Sequence, residues 1–196
     1  LWRIKAARVL HDAKEKTVEY EDARLEFAGI PVLYSPYFQH PDPTVKRQSG
    51  LLAPSFGSTS YVGSFFELPY YWAIDQSKDL TLRPIYTTDE GPVLASEYRQ
   101  RFDSGEMEVV SSVTSDDTDD FQGHIDAKGR FDIDKTWRWG FDAEQASEKT
   151  YMSRYGFGSP SVLTSNLFTE GFRGGSYSRV DGYYFQGLKA EDDRDT

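Results

Sequence analysis

The chain has 196 residues, with 22 Lys+Arg against 32 Asp+Glu and a formal net charge of −10. That excess of carboxylates cannot supply the broad basic surface that phosphate backbones require, so nucleic acid is excluded as a partner. No apolar run approaches the roughly 18 residues of a spanning helix, which excludes a helical membrane protein but not a β-barrel, whose strands hide their hydrophobicity in alternation.

Aromatics make up 15% of the chain, with 13 Tyr and 13 Phe, and hydrophobic residues only 38%. Apolar material concentrated in rings suits strands better than helices. With no cysteine there is no disulfide framework and no thiolate metal site. The opening Leu1-Trp2-Arg3 carries no initiator Met and no signal-peptide pattern, so the sequence is expected to be part of a longer protein.

From Trp2 to Phe38 the chain reads as short strands: Trp2 to Ala6, Val9-Leu10, Thr17 to Tyr20, Ala23 to Phe27 and Pro31 to Tyr34. Apolar and charged residues alternate with period two, and turn-forming clusters separate them. Between Pro36 and Ser60 the pattern stops. Pro36, Pro41, Pro43 and Pro54 remove backbone donors there, which predicts a linker.

Beyond Ser60 the strands lengthen. Phe66, Leu68, Tyr70, Trp72 and Ile74 form one apolar face, with Glu67 and Tyr71 on the other. Leu80, Leu82, Pro84 and Tyr86 oppose Asp79, Thr81, Arg83, Ile85 and Thr87. The same alternation runs through residues 122–134 and 136–144. Soluble strands average about 5–6 residues, whereas segments near ten residues with one apolar face have the length and pattern of tilted transmembrane strands. Aromatic groups at Tyr70-Tyr71-Trp72, Trp137-Arg138-Trp139 and Tyr183-Tyr184-Phe185 match an interfacial girdle. A soluble antiparallel sheet with one solvated face fits the alternation as well.

Asp116-Asp117-Thr118-Asp119-Asp120 has the ligand type of a calcium site but not its spacing, and is read as a solvated loop. His11, His40 and His124 have no partner at metal-ligand spacing and are read as scattered surface histidines; no nucleophile elbow is present. Gly156-Phe157-Gly158 and Gly174-Gly175 are expected to be bends or turns.

Several longer stretches carry a resemblance. Pro31-Val32-Leu33-Tyr34-Ser35-Pro36-Tyr37-Phe38, Lys46-Arg47-Gln48-Ser49-Gly50-Leu51-Leu52-Ala53-Pro54 and Glu67-Leu68-Pro69-Tyr70-Tyr71-Trp72-Ala73-Ile74 resemble the LptD family of LPS-assembly proteins, also called organic solvent tolerance or OstA proteins. The likeness continues through Asp79, Thr81, Pro84, Tyr86, Gly91, Glu97 and Arg99, and becomes diffuse beyond residue 100. It implies an all-β chain: residues 1–43 as the C-terminal part of a periplasmic β-jelly-roll, 44–61 as a linker, and 62–196 as the first antiparallel strands of a large outer-membrane β-barrel.

The function so implied is lipopolysaccharide transport and insertion into the outer leaflet, with no catalysis and no cofactor. The partners implied are lipopolysaccharide, the plug lipoprotein LptE, the periplasmic bridge protein LptA through the jelly roll, and outer-membrane lipids. Pro69 and Pro84 are implied to weaken strand pairing at a lateral gate, and Pro54 to act as a domain hinge. Asp79, Arg83, Glu97, Arg99 and Arg101 are the expected lumen contacts, and Phe66, Leu68, Tyr70, Trp72 and Ile74 the expected lipid-facing residues. The rival functions are a porin-like passive channel and a soluble lipid- or glycan-binding jelly-roll module.

Overall fold

The computed structural model describes residues 2–14, 16–42, 44–45, 47–115 and 121–189. Its backbone is strand almost throughout, and the chain divides into two compact units, Leu1–Leu51 and Leu52–Thr196. The Asp116 to Asp120 loop and Lys46 lie outside the described residues.

In the first unit β1 (Trp2–Lys5), β2 (Arg8–Asp12), β3 (Thr17–Phe27) and β4 (Ile30–Pro41) form one antiparallel sheet, followed by the two-residue β5 (Gly50–Leu51). The eleven-residue β3 organises it, pairing with β1 and β2 in succession along one edge and with β4 along the other. Ala28 and Gly29 both adopt positive φ (49° and 90°), the backbone that a two-residue hairpin between β3 and β4 requires. β4 runs to Pro41, seven residues beyond the strand expected from sequence. Proline is tolerated here because β4 pairs with β3 alone. The ladder also skips Pro36 opposite Asp22, itself at φ 52°.

The second unit is an antiparallel meander of β6 (Ser55–Thr59), β7 (Gly63–Glu67), β8 (Tyr70–Trp72), β9 (Lys78–Thr87), β10 (Val93–Phe102), β11 (Gly105–Ser115), β12 (Phe121–Asp132), β13 (Trp137–Ala146), β14 (Val162–Arg173) and β15 (Ser176–Gly187). The only helix among the described residues is the single turn α1 (Tyr151–Arg154), between β13 and β14. Gly174 and Gly175, both at positive φ, make the β14–β15 hairpin turn.

Two elements depart from the sequence reading. β6 falls inside the expected linker, yet pairs with β7 from Ser55↔Glu67 to Thr59↔Gly63. Its Gly- and Ser-rich sequence has no alternation to detect, and the Phe65 ring supplies the packing by lying over Gly57, where an added Cβ would come within 2.8 Å of it. The strand expected to run continuously through Phe66 to Ile74 is divided at Leu68-Pro69, since neither Pro69 nor Pro84 across from Leu68 can donate to a ladder.

Register sorts the sheet into two faces. Phe66↔Tyr86, Tyr70↔Leu82, Trp72↔Leu80, Leu80↔Tyr98 and Pro84↔Leu94 share one face. Val113, Ile125, Phe141, Trp139 and Leu167 continue it through β11 to β14. Large side chains stand exposed along it, including Tyr86, Leu94, Ile125, Trp139 and Leu167. The opposite face carries Glu67, Asp79, Arg83, Glu97, Arg99, Glu108, Lys128, Asp142 and Glu170. Buried polar residues lie on this second face: Asp79, Ser112, Thr114, Gln122, His124 and Glu170 are each buried.

Candidate functional site

The polar face is built from cross-strand ion pairs whose positions follow from pairing. Asp79 on β9 stands opposite Arg99 on β10, and Arg99 Nε donates to Asp79 Oδ1 at 2.9 Å. Tyr71 Oη donates to the other carboxylate oxygen at 3.2 Å, and Glu97 lies 3.6 Å from the same guanidinium. Arg83 Nε is 3.5 Å from Glu67, and Arg101 Nε is 3.8 Å from Glu106. Alternation in β9 and β10 therefore brings Asp79, Arg83, Glu97, Arg99 and Arg101 onto one face; Asp79, Glu97 and Arg99 form a cluster, while Arg83 and Arg101 pair elsewhere.

A second network further along the sheet was not legible in the sequence. Glu170 on β14, 8% exposed, accepts from Arg138 Nε at 2.6 Å and from Tyr177 Oη at 2.7 Å. Beside it the Phe168 ring lies between the guanidiniums of Arg130 and Arg179, 5.0 and 4.1 Å from its centroid. The available signal was the even-numbered series Phe168, Glu170, Phe172 on β14, in register with Gly140 and Arg138.

The seam of the sheet is narrow at one place. β10 pairs with β11 along all of Val93–Phe102, whereas the ladder from β9 to its other neighbours is split into Phe65–Glu67 of β7 and Tyr70–Trp72 of β8 with a gap at Leu68-Pro69. Pro69 sits in the break between those segments. Pro84 lies across from it: the Pro84 carbonyl accepts from the Leu68 N–H at 3.4 Å. In an antiparallel ladder the N–H and C=O of one residue point to the same neighbour, so the donor missing at Pro84 is missing toward the break. Pro84 is thus in an interior strand, and the sheet edge lies elsewhere. Pro54 lies just before β6 and is half-buried.

Of the expected apolar face, Phe66, Tyr70 and Trp72 are 44%, 41% and 48% exposed, while Leu68 and Ile74 are half-buried. Leu68 sits in the break and Ile74 beyond the end of β8.

The connection from Ser147 to Ser161 folds back over the polar face. Tyr151 is completely buried, and its hydroxyl hydrogen-bonds Ser112 Oγ at 2.7 Å; Ser112 Oγ in turn meets His124 Nδ1 at 2.6 Å. The Phe157 ring lies 4.4 Å from the imidazole, and Tyr155 Oη donates to Glu90 at 3.4 Å. This corrects the expectation of a surface His124: the residue is 7% exposed because the connection covers it. Val93 and Ala95, on the same face of β10, are 2% and 1% exposed. The Gly156 and Gly158 positions, at φ 77° and 115°, shape this covering segment and not a strand bend. Among the described residues no group of carboxylates and histidines is placed to hold a metal ion.

An ion-paired polar face opposite an exposed aromatic face is the setting for the comparisons with known proteins. Residues 120–196 match the family model for LptD, described as LPS transport system D. The LPS-assembly protein LptD of Mannheimia succiniciproducens is 33% identical over 161 residues, 79% of this chain. The protein of the same name from Nitrosococcus oceani is 30% identical over 97% of the chain, and that of Yersinia pestis 30% identical over 87%. The chain belongs to the LptD family. It spans only a part of these LptD proteins, 20% of the Mannheimia and 26% of the Nitrosococcus sequence. The fold fits: LptD-type sequence here forms antiparallel β-structure with a single helical turn among its described residues.

Proposed function

We propose that this chain contributes to moving lipopolysaccharide into the outer leaflet of the Gram-negative outer membrane. In this reading the first unit is the end of a periplasmic β-jelly-roll, and β6 to β15 are the opening strands of a barrel whose polar face lines the lumen. The observation that carries it is the inversion of burial in the second unit. A soluble sheet buries its apolar face and wets its polar one; here Asp79, Glu170 and the polar groups of Ser112, Thr114, Gln122 and His124 are buried and the aromatic face is bare, as lipid contact requires. The names of the relatives support the substrate.

No covalent step belongs to the role. The polar face offers ion pairs and hydroxyls to sugars, and the exposed aromatic face meets outer-membrane lipids. The narrow seam at Pro69 and Pro84 serves as the place where strand pairing yields, and Pro54 as the hinge before the barrel. LptE as the plug and LptA as the donor through the jelly roll complete the reading. Spin labels placed singly at Phe66, Tyr70 and Trp72 of the full-length protein test it. Accessibility to oxygen with protection from a polar relaxant, and the reverse at Glu67 and Tyr71, is the expected result; equal accessibility on both faces rejects the membrane assignment in favour of a soluble module.

A further inference from the structure

Between the covering segment and the polar face of β7 and β9 lies a cavity of 340 Å³, walled by Phe65, Glu67 and Arg83 on the strands and by Arg154, Tyr155 and Phe157 on the segment. Its size falls in the range of small-molecule sites, about 300–1,000 Å³. The composition is specific: two guanidiniums, one carboxylate, and aromatic rings that offer flat faces. Arg83 contacts Glu67 through a single 3.5 Å approach, which leaves most of its five donors for another acceptor. Arg83 and Ile85 on β9 are both wall of this cavity and flank of Pro84, so the cavity lies beside the narrow seam on the polar face.

We propose that this cavity is a binding station for a phosphorylated sugar, the chemistry of a lipopolysaccharide headgroup. Phosphate oxygens take the fork donors of Arg83 and Arg154, the pairing guanidinium groups favour over lysine, while the sugar ring lies against the aromatic wall. The anchored Tyr151 fixes the segment that brings Arg154 and Phe157 to the site. The cavity has room for one phosphorylated sugar, which suits a route where sugars and lipid tails travel on opposite sides of the sheet. This inference rests on the transport reading above.

The test is photo-crosslinking in cells carrying the full-length protein with p-benzoylphenylalanine at Tyr61, an exposed residue on the cavity rim, and, separately, at Val32 in the first unit as reference. The expected result is a lipopolysaccharide adduct at both positions. Arg83→Ala with Arg154→Ala should lower the Tyr61 adduct about tenfold, the scale of losing charge-assisted hydrogen bonds, with the Val32 adduct and outer-membrane protein level unchanged. Arg83→Lys with Arg154→Lys, which keeps both charges and loses the forks, should give an adduct between those of the wild type and the alanine pair; an alanine pair that leaves the Tyr61 adduct at the wild-type level overturns the proposal. Purified full-length protein separates the sources: adduct formation at Tyr61 with intact lipopolysaccharide, resistant to millimolar inorganic phosphate, assigns the site to the headgroup, and full displacement by inorganic phosphate overturns that assignment. An adduct at Val32 without one at Tyr61 rejects the station while leaving transport intact; no adduct at either position rejects the transport reading itself.

Discussion

Glu26 shows how much one buried carboxylate decides locally. It is 6% exposed on β3 and is held by Arg3 Nε at 2.6 Å and Lys5 Nζ at 3.1 Å from β1. The hydrogen bonds from Arg3 and then Lys5 hold its carboxyl below the usual carboxylate range, against the opposing effect of burial. A depressed folded-state pKa means the stabilisation is fully present above the unfolded value and is lost as pH falls through the folded one. Acidification should therefore loosen β1 from β3 before the β3–β4 hairpin. Hydrogen exchange of the β1 amides in full-length protein, corrected for intrinsic rates, should show this acid-dependent opening. Glu26→Gln should open β1 already at neutral pH and flatten the dependence; a variant with the wild-type profile would assign the acid sensitivity to another group.

Tyr151 makes the same point in the second unit. Tyr151→Phe removes one hydrogen bond while Ser112 keeps His124, for a loss of about 0.5–1.5 kcal/mol. Tyr151→Ala also leaves a cavity, and losses of about 3–5 kcal/mol accompany such truncations of buried rings. Limited proteolysis within residues 147–161 should rise strongly for the alanine variant and little for phenylalanine. Similar cleavage of both would mean that the hydroxyl, and not the ring, anchors the segment.

At the scale of elements, the seam between β9 and its β7 and β8 neighbours is the feature with most consequence. Replacing Pro69 and Pro84 together by alanine restores one donor across the seam, at Pro84, and one on the opposite side of the strand, where the Pro69 carbonyl accepts from the Leu52 N–H at 2.8 Å; the recovered hydrogen bond across the seam contributes about 0.5–1.5 kcal/mol. At 1.4 kcal/mol per decade, an opening equilibrium shifts by roughly two- to tenfold. The double variant should assemble at normal levels yet deliver less lipopolysaccharide to the surface and leave cells more permeable to hydrophobic compounds. Normal assembly with wild-type transport would reduce the two prolines to interruptions of pairing without a gating role. Elsewhere the sheet uses a different device: at Gly129 and Gly171 an added Cβ would meet the rings of Phe141 and Trp137 at 2.5 and 2.8 Å, so small residues seat the aromatics of neighbouring strands. Gly171→Val should displace Trp137 and lower the thermal stability of the full-length protein, while the exposed Ser178 opposite it should tolerate valine.

Across the whole molecule, period-two alternation made most of the architecture readable. Within β9 it assigned Asp79 and Arg83 to one face and Leu80, Leu82 and Tyr86 to the other before any partner was known, because successive side chains on a strand must point to opposite sides; pairing then joined these faces to those of the other strands, with Glu97 and Arg99 on the charged side and Ile125 on the apolar one. It failed where the signal is weak or misleading. β6 has no alternation of its own and exists because Phe65 packs over Gly57. β4 continues through Pro36 because an edge strand spares the missing donor.

What the sequence by itself determined is the class of backbone and the sidedness of its strands, since both arise from local sterics and from the two-residue period of a pleated chain. Tertiary structure alone decided the covering segment, the burial of His124 beneath it and the cavity beside Arg83. These join residues far apart in the chain, as Ser112 and Tyr151 are at a separation of 39. Residues 147–161 carry neither a strand period nor a helix long enough to register. Their place is fixed by the buried Tyr151 ring and its hydrogen bond to a distant strand, with Phe157 against His124 and Tyr155 on Glu90, a dependence on long-range packing that no local pattern encodes.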